Sequence, residues 1–87
     1  MKLLKFISAS CAKCDVVSQF LMSKNVSFDV IDVQQNQACA GRYGIHSVPT
    51  TILLTENDVE LARSVGVNPP ELIKILAMYQ KESTGDV

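Results

Sequence analysis

The sequence predicts an α/β fold in the order β-α-β-α-β-β-α, with a central four-stranded mixed sheet flanked by helices. Three observations predict it. Short apolar runs of strand length occur at residues 2–8, 27–33 and 50–55, a helix-period stretch separates the first two, and a second such stretch closes the chain. With 87 residues and 47% hydrophobic composition, the chain is long enough for one small core, and residues 1–87 are read as a single domain.

The elements follow in order. Residues 2–8 (KLLKFIS) are almost continuously apolar, as in a strand covered on both faces. From Cys11 to about Lys24, the residues Val16, Val17, Phe20 and Leu21 recur at helical spacing, and Asn25 is a suitable terminator. Residues 27–33 (SFDVIDV) form a β-branched and aromatic strand, parallel to the first because a helix joins them. Around residues 36–43 the helical signal is interrupted by Gly41 and Gly44, which leaves a short helix. After Pro49, TTILLT and VELARSV flank the polar Glu56-Asn57-Asp58 and read as a hairpin. Glu60 and Arg63 on its second arm suit an exposed sheet edge. Asn68, Pro69 and Glu71 form a helix start. Leu72, Ile73, Leu76 and Ala77 supply the buried face of that helix to about Lys81, ahead of a frayed tail at 82–87.

Charge excludes several classes of partner. The net charge of −1 and pI near 5.7 offer no electrostatic footprint for nucleic acid or an anionic membrane. Gly41-Arg42-Tyr43-Gly44 matches the G-x-x-G loop of an RNA-binding module but lacks basic surroundings. The opening MKLLKFI is too short for a secretory signal, and SASC at 8–11 lacks the long apolar run of a lipoprotein cleavage site, so a cytoplasmic monomer is expected. Three cysteines in such a chain point to redox or metal chemistry rather than to a disulfide scaffold.

The chemistry centres on Cys11-Ala12-Lys13-Cys14, a C-x-x-C placed after a strand and at the start of a helix. A helix N-terminus carries partial positive charge and free N–H groups, so a thiolate at Cys11 is stabilised there and becomes the nucleophile. Cys14 lies one turn deeper on the same side, positioned to attack a mixed disulfide at Cys11 as the resolving thiol. Lys13 adds charge near the thiolate, or is simply an exposed first-turn lysine. Lys5 sits mid-strand on the side of Leu3 and Ile7, where its ammonium either reaches water or approaches the dithiol from beneath and lowers the Cys11 pKa. Cys39 reads as an inert buried or half-buried thiol, with a regulatory disulfide as the alternative, and His46 as a surface histidine near the dithiol rim. Cys11, Cys14, Cys39 and His46 have poor spacing for zinc, so no metal or cofactor is expected, although a zinc- or thiol-binding module is the non-enzymatic alternative.

A second signal is Ser47-Val48-Pro49-Thr50, about 35 residues beyond the dithiol and just ahead of the hairpin. With C-x-x-C, Tyr43-Gly44-Ile45 and Val65-Gly66-Val67, it makes residues 2–80 resemble the thioredoxin and glutaredoxin superfamily. The resemblance implies a thioredoxin-like fold, thiol-disulfide oxidoreductase activity on protein disulfides, and a cis peptide bond before Pro49. It further implies substrate contacts at Val48, Pro49, Ala12, Lys13 and Gly66. Electrons would come from a flavin reductase or, as the alternative, from glutathione. The chain departs from thioredoxins at Ser10 in place of Trp, at Ala12-Lys13 in place of Gly-Pro, and at Lys5 in place of a buried acid. Of the glutaredoxin element for glutathione only Gly66 remains.

Overall fold

The computed structural model describes residues 1–84, with side chains described through residue 80. Seven elements appear in the predicted order: β1 (Lys2–Ile7), α1 (Ala12–Ser23), β2 (Asp29–Asp32), α2 (Gln37–Arg42), β3 (Thr50–Leu54), β4 (Glu60–Val65) and α3 (Pro69–Thr84). The strands form one sheet in the order β2-β1-β3-β4, with β1 parallel to β2 and the other pairs antiparallel. α3 runs to Thr84, past the expected end near Lys81, and the remainder of the expected frayed tail lies outside the described residues.

Local signals explain where the helices end. Asn25 takes a positive φ of 59° after α1, and its N–H bonds to the Met22 carbonyl, as a left-handed C-terminal residue should. Gly44 does the same after α2 at φ 63°, with Gly44 N–H on Gly41 O and Ile45 N–H on Ala40 O. That paired closure turns the chain sharply toward the Val48–Pro49 segment. At the start of α3 the Asn68 side chain accepts the Glu71 N–H at 3.3 Å, which is the expected cap.

Alternation along β1 and β3 divides the core between the two sheet faces. Leu3 and Leu53 join Val17 and Leu21 of α1 and Leu72, Ile75 and Leu76 of α3. Leu4, Phe6, Ile52 and Leu54 face the other way, against Cys39 and Tyr43 from the α2 region. The helix stripes are narrower than the sequence suggests. Val16 and Ile73, expected in the core, are 51% and 54% exposed, and Ala77 is exposed as well. Each lies one residue, about 100° of helix rotation, from the seam that meets the sheet.

A bulge at Leu61 changes the phase of β4. Leu53 pairs with Ala62 and Leu54 with Glu60, so Leu61 is unopposed. Glu60 and Arg63, which regular alternation would put on opposite faces, both fall on the side of Ile52 and Leu54. There the Arg63 guanidinium bonds both Glu60 carboxylate oxygens, at 2.7 and 2.6 Å. It also reaches the Tyr43 carbonyl at 2.6 Å, fastening the turn after α2 to the edge strand.

One row breaks the apolar character of the α1/α3 face. Lys5, Thr51 and Ser64 are direct register neighbours across β1, β3 and β4 and are 3%, 1% and 1% exposed. Lys5 does not extend to water. Its Nζ donates to the Cys14 carbonyl at 3.5 Å and stands 5.5 Å from the centre of the Phe28 ring. Burial pushes its pKa below the ordinary 10.5, opposed only in part by the Asp15 carboxylate.

Two stability predictions follow from this packing. Leu53→Ala removes a fully buried side chain shared by both helices and should cost about 2–5 kcal/mol in chemical denaturation. Lys5→Met keeps the volume and removes a desolvated charge, and should stabilise the fold by roughly 1–3 kcal/mol at neutral pH. The sign of the pH dependence comes from the lowered folded-state pKa. Below it, the cost of the buried ammonium is fully present, and it is relieved as pH rises through that pKa toward 10.5. The advantage of Lys5→Met should therefore shrink with rising pH, as measured by urea denaturation across the alkaline range.

Candidate active site

The site lies at the end of the sheet where β1 finishes and β3 begins. Phe6 pairs with Thr50, so the segment leaving β1 toward Cys11 and the segment entering β3 through Pro49 emerge at the same end. Ser8 accepts the Cys11 N–H through its carbonyl at 3.3 Å, a turn that brings the chain directly into α1. Cys11 occupies the cap position of α1 in an extended conformation, and its carbonyl accepts the Cys14 N–H.

Cys11 and Cys14 are joined by a disulfide, with their Cα atoms 5.4 Å apart. Their environments differ. Cys11 is half-buried at the helix start, whereas Cys14 is only 4% exposed, beneath the first turn. Ala12 and Lys13 between them are exposed. Lys5 supports the pair from below through the Cys14 carbonyl, the partner that the sequence left open.

The Ser47–Thr50 segment enters β3 at that same end of the sheet. The Val48–Pro49 bond is cis, as the resemblance implied, and Pro49 is buried. The Val48 side chain packs on the Leu4/Phe6 cluster, and among the described residues no hydrogen bond engages its backbone. Thr50 Oγ1 donates to the Ser47 carbonyl at 2.7 Å and braces the turn. Gly66 joins this segment: at φ 75° it donates its N–H to the Pro49 carbonyl at 2.7 Å. Val48, Pro49 and Gly66, singled out separately in the sequence, thus form one continuous lip.

Other candidates fall elsewhere. Cys39 is a free, half-buried thiol packed on the Leu4/Phe6 face, across the sheet from α1. His46 is exposed. Among the described residues no group of three or more His, Cys, Asp or Glu side chains is arranged to hold a metal ion, because the sheet separates Cys39 from the dithiol. No helix among them is long and apolar enough to cross a membrane. Sequence reasoning did not single out Thr51, Ser64 or the Arg63 contact with Tyr43, which depend on strand register.

Comparisons with known proteins agree with this geometry. The family model described as Thioredoxin matches residues 1–78. The chain is 41% identical over 76 residues to the SPbeta prophage-derived thioredoxin-like protein YosR of Bacillus subtilis, covering 87% of this chain and 95% of that protein. It is 33% identical to a thioredoxin of the same organism, covering 76% of this chain and 68% of that one. Among solved structures, thioredoxin 1 from Thermosipho africanus superposes with a TM-score of 0.73 at 24% identity, over 95% of this chain and 98% of that one. Thioredoxin of Trichomonas vaginalis does so with a TM-score of 0.70 at 27% identity, over 87% and 77%. With a C-x-x-C disulfide at a strand-to-helix junction and a cis-proline at the same end of the sheet, the chain belongs to the thioredoxin family and is a thiol-disulfide oxidoreductase.

Proposed function

We propose that Cys11 is the nucleophile and Cys14 the resolving thiol in the reduction of protein disulfides. The observation that carries this assignment is the unequal burial of the two sulfurs' residues across one helical turn. In the reduced protein the half-exposed Cys11 thiolate, favoured by the α1 N-terminus, attacks a substrate S–S bond. One substrate sulfur leaves as a thiolate and takes a proton from solvent, while Cys11 holds the other in a mixed disulfide. Cys14 then loses its proton and attacks the Cys11 sulfur. The second substrate sulfur departs as a thiolate, two electrons have passed to the substrate, and the Cys11–Cys14 disulfide remains.

The lip supports substrate docking. The unengaged Val48 backbone is available to an extended peptide, with Pro49 and Gly66 joined beside it and Ala12 and Lys13 exposed at the start of α1. Lys5, under the Cys14 carbonyl, places positive charge below the pair and favours the thiolate form of Cys11. A flavin-dependent thioredoxin reductase is the proposed electron donor, ahead of glutathione, in keeping with the thioredoxin relatives. The protein is proposed to act as a cytoplasmic monomer of one domain, without membrane or nucleic-acid partners, cofactor or metal.

Under limiting iodoacetamide near neutral pH, the reduced protein should be alkylated first at Cys11. Cys14→Ser should trap a mixed disulfide with substrate, Cys11→Ser should abolish turnover of insulin disulfides, and Cys39→Ser should leave turnover intact. Equal labelling of Cys11 and Cys14, with zinc protecting both, would overturn the assignment. For Lys5, the thiolate absorbance of Lys5→Met should titrate at higher pH than that of the parent protein, and an unchanged titration would remove its electrostatic role.

A further inference from the structure

The face of the sheet opposite α1 carries a cavity of about 480 Å³, within the range of small-ligand sites. Leu4 and Leu54 form its floor, and Cys39, Arg42 and Tyr43 of the α2 region form one wall. Lys2, Asp29 and Asp58 line the rest. Register explains the grouping: Leu4 pairs with Asp29 and Lys2 with Leu54, so these side chains leave the sheet on the side of α2. The cavity stands at the Lys2 end of β1, whereas the dithiol lies beyond Ile7, about 16 Å away along the strand.

The charges around this cavity are unevenly satisfied. Lys2 Nζ and Asp58 Oδ1 pair at 2.8 Å, and that pairing, with Arg42 adding to it, holds the Asp58 carboxyl below its ordinary range. Among the described residues, the Arg42 guanidinium and the Asp29 carboxylate have no hydrogen-bond or ion-pair partner. Arg42 lies over the Tyr43 ring, 5.8 Å from its centre, a contact that leaves its donor fork free. Cys39 and Arg42 are three residues apart on α2 and share one side of that helix. A free cation, a free anion and a free thiol therefore line one cavity. A carboxylate suits the first, an ammonium the second and a disulfide sulfur the third. Amino-acid-type disulfides, of which cystine is the simplest, carry all three groups.

We propose that this cavity is a second thiol-exchange site, for amino-acid-type disulfides, with Arg42 holding the carboxylate, Asp29 the ammonium, and Cys39 exchanging with the S–S bond. The Cys39 thiol releases its proton to solvent, and its thiolate attacks the nearer ligand sulfur. The ligand S–S bond breaks as the bond between Cys39 and that sulfur forms. The farther half departs as a thiolate, keeps the electron pair and takes a proton from solvent. Cys39 is thereby oxidised to a mixed disulfide and the departing half is the reduced product, so the ligand itself is the oxidant. A small thiol in excess reverses the exchange, and loading of the site follows the ratio of small disulfide to small thiol around it. This chemistry is separate from that of the dithiol, because the sheet lies between Cys39 and α1.

The oxidised protein suits the test, since its Cys11–Cys14 bond leaves Cys39 as the single thiol. Adduct formation is followed by intact mass and peptide mapping with four probes: cystine, cystamine with ammonium groups alone, dithiodiglycolate with carboxylates alone, and hydroxyethyl disulfide with neither. Each rate is divided by that of a blocked, uncharged cysteine peptide with the same probe. The normalised cystine rate should exceed that of hydroxyethyl disulfide roughly tenfold, the combined weight of two exposed ion pairs, with the single-charge probes between them. Arg42→Gln and Asp29→Asn should each slow cystine about threefold. Both should keep the parent rate with hydroxyethyl disulfide and the parent turnover of insulin disulfides, which shows that the fold is intact. Equal normalised rates for all four probes would make Cys39 an ordinary thiol and overturn the site. So would a cystine preference that survives both substitutions, a single-charge probe that matches cystine, or an adduct that maps to Cys11 or Cys14.

Discussion

The antiparallel pairing of β1 with β3 is the constraint on which the site depends. β1 leads into the dithiol and β3 follows the proline lip, and the two segments are far apart in sequence. Setting Phe6 opposite Thr50 brings both loops to one end of the sheet, and the buried ladder holds them there. A slip of one residue would exchange the faces of Leu3, Leu53, Leu4 and Ile52, so both core clusters enforce the register. The geometry of the reactive end is thus maintained by apolar side chains that never meet a substrate.

The same register imposes a conflict. With Leu3 and Leu53 facing α1 and α3, Lys5 and Thr51 must face them too, and burying these groups costs stability. The charge is kept where it meets the backbone of Cys14. This is the local inconsistency expected at a functional site, where a rule of core composition is broken beside the chemistry.

Much of this was legible in the sequence because the signals are local. C-x-x-C at a strand-to-helix junction, Val-Pro-Thr before a hairpin, Asn25 as a terminator and Asn68 as a cap each act within a few residues, and each stands where it was expected. What was not legible depends on partners distant in sequence. The helical period of α3 did not separate Ile73 from Ile75, because only contact with the sheet selects which flank of an apolar stripe is covered. The row from Lys5 to Ser64 needs the register of three strands. Phase counting along VELARSV fails at Leu61, since nothing in that stretch marks a bulge.

Arg63, joined by Glu60 on one face through that bulge, has two duties. Its charge discourages another chain from pairing with the outer strand, as edge charges generally do. Because its register opposite Ile52 puts it on the side of the Tyr43 carbonyl, it also braces the turn that delivers the chain to Pro49. Guarding the flank and bracing the turn ahead of Pro49 are therefore one mechanical task. The solubility of the sheet edge and the course of the chain into Pro49 are thus tied through one side chain, and losing Arg63 would expose the edge and loosen that turn together.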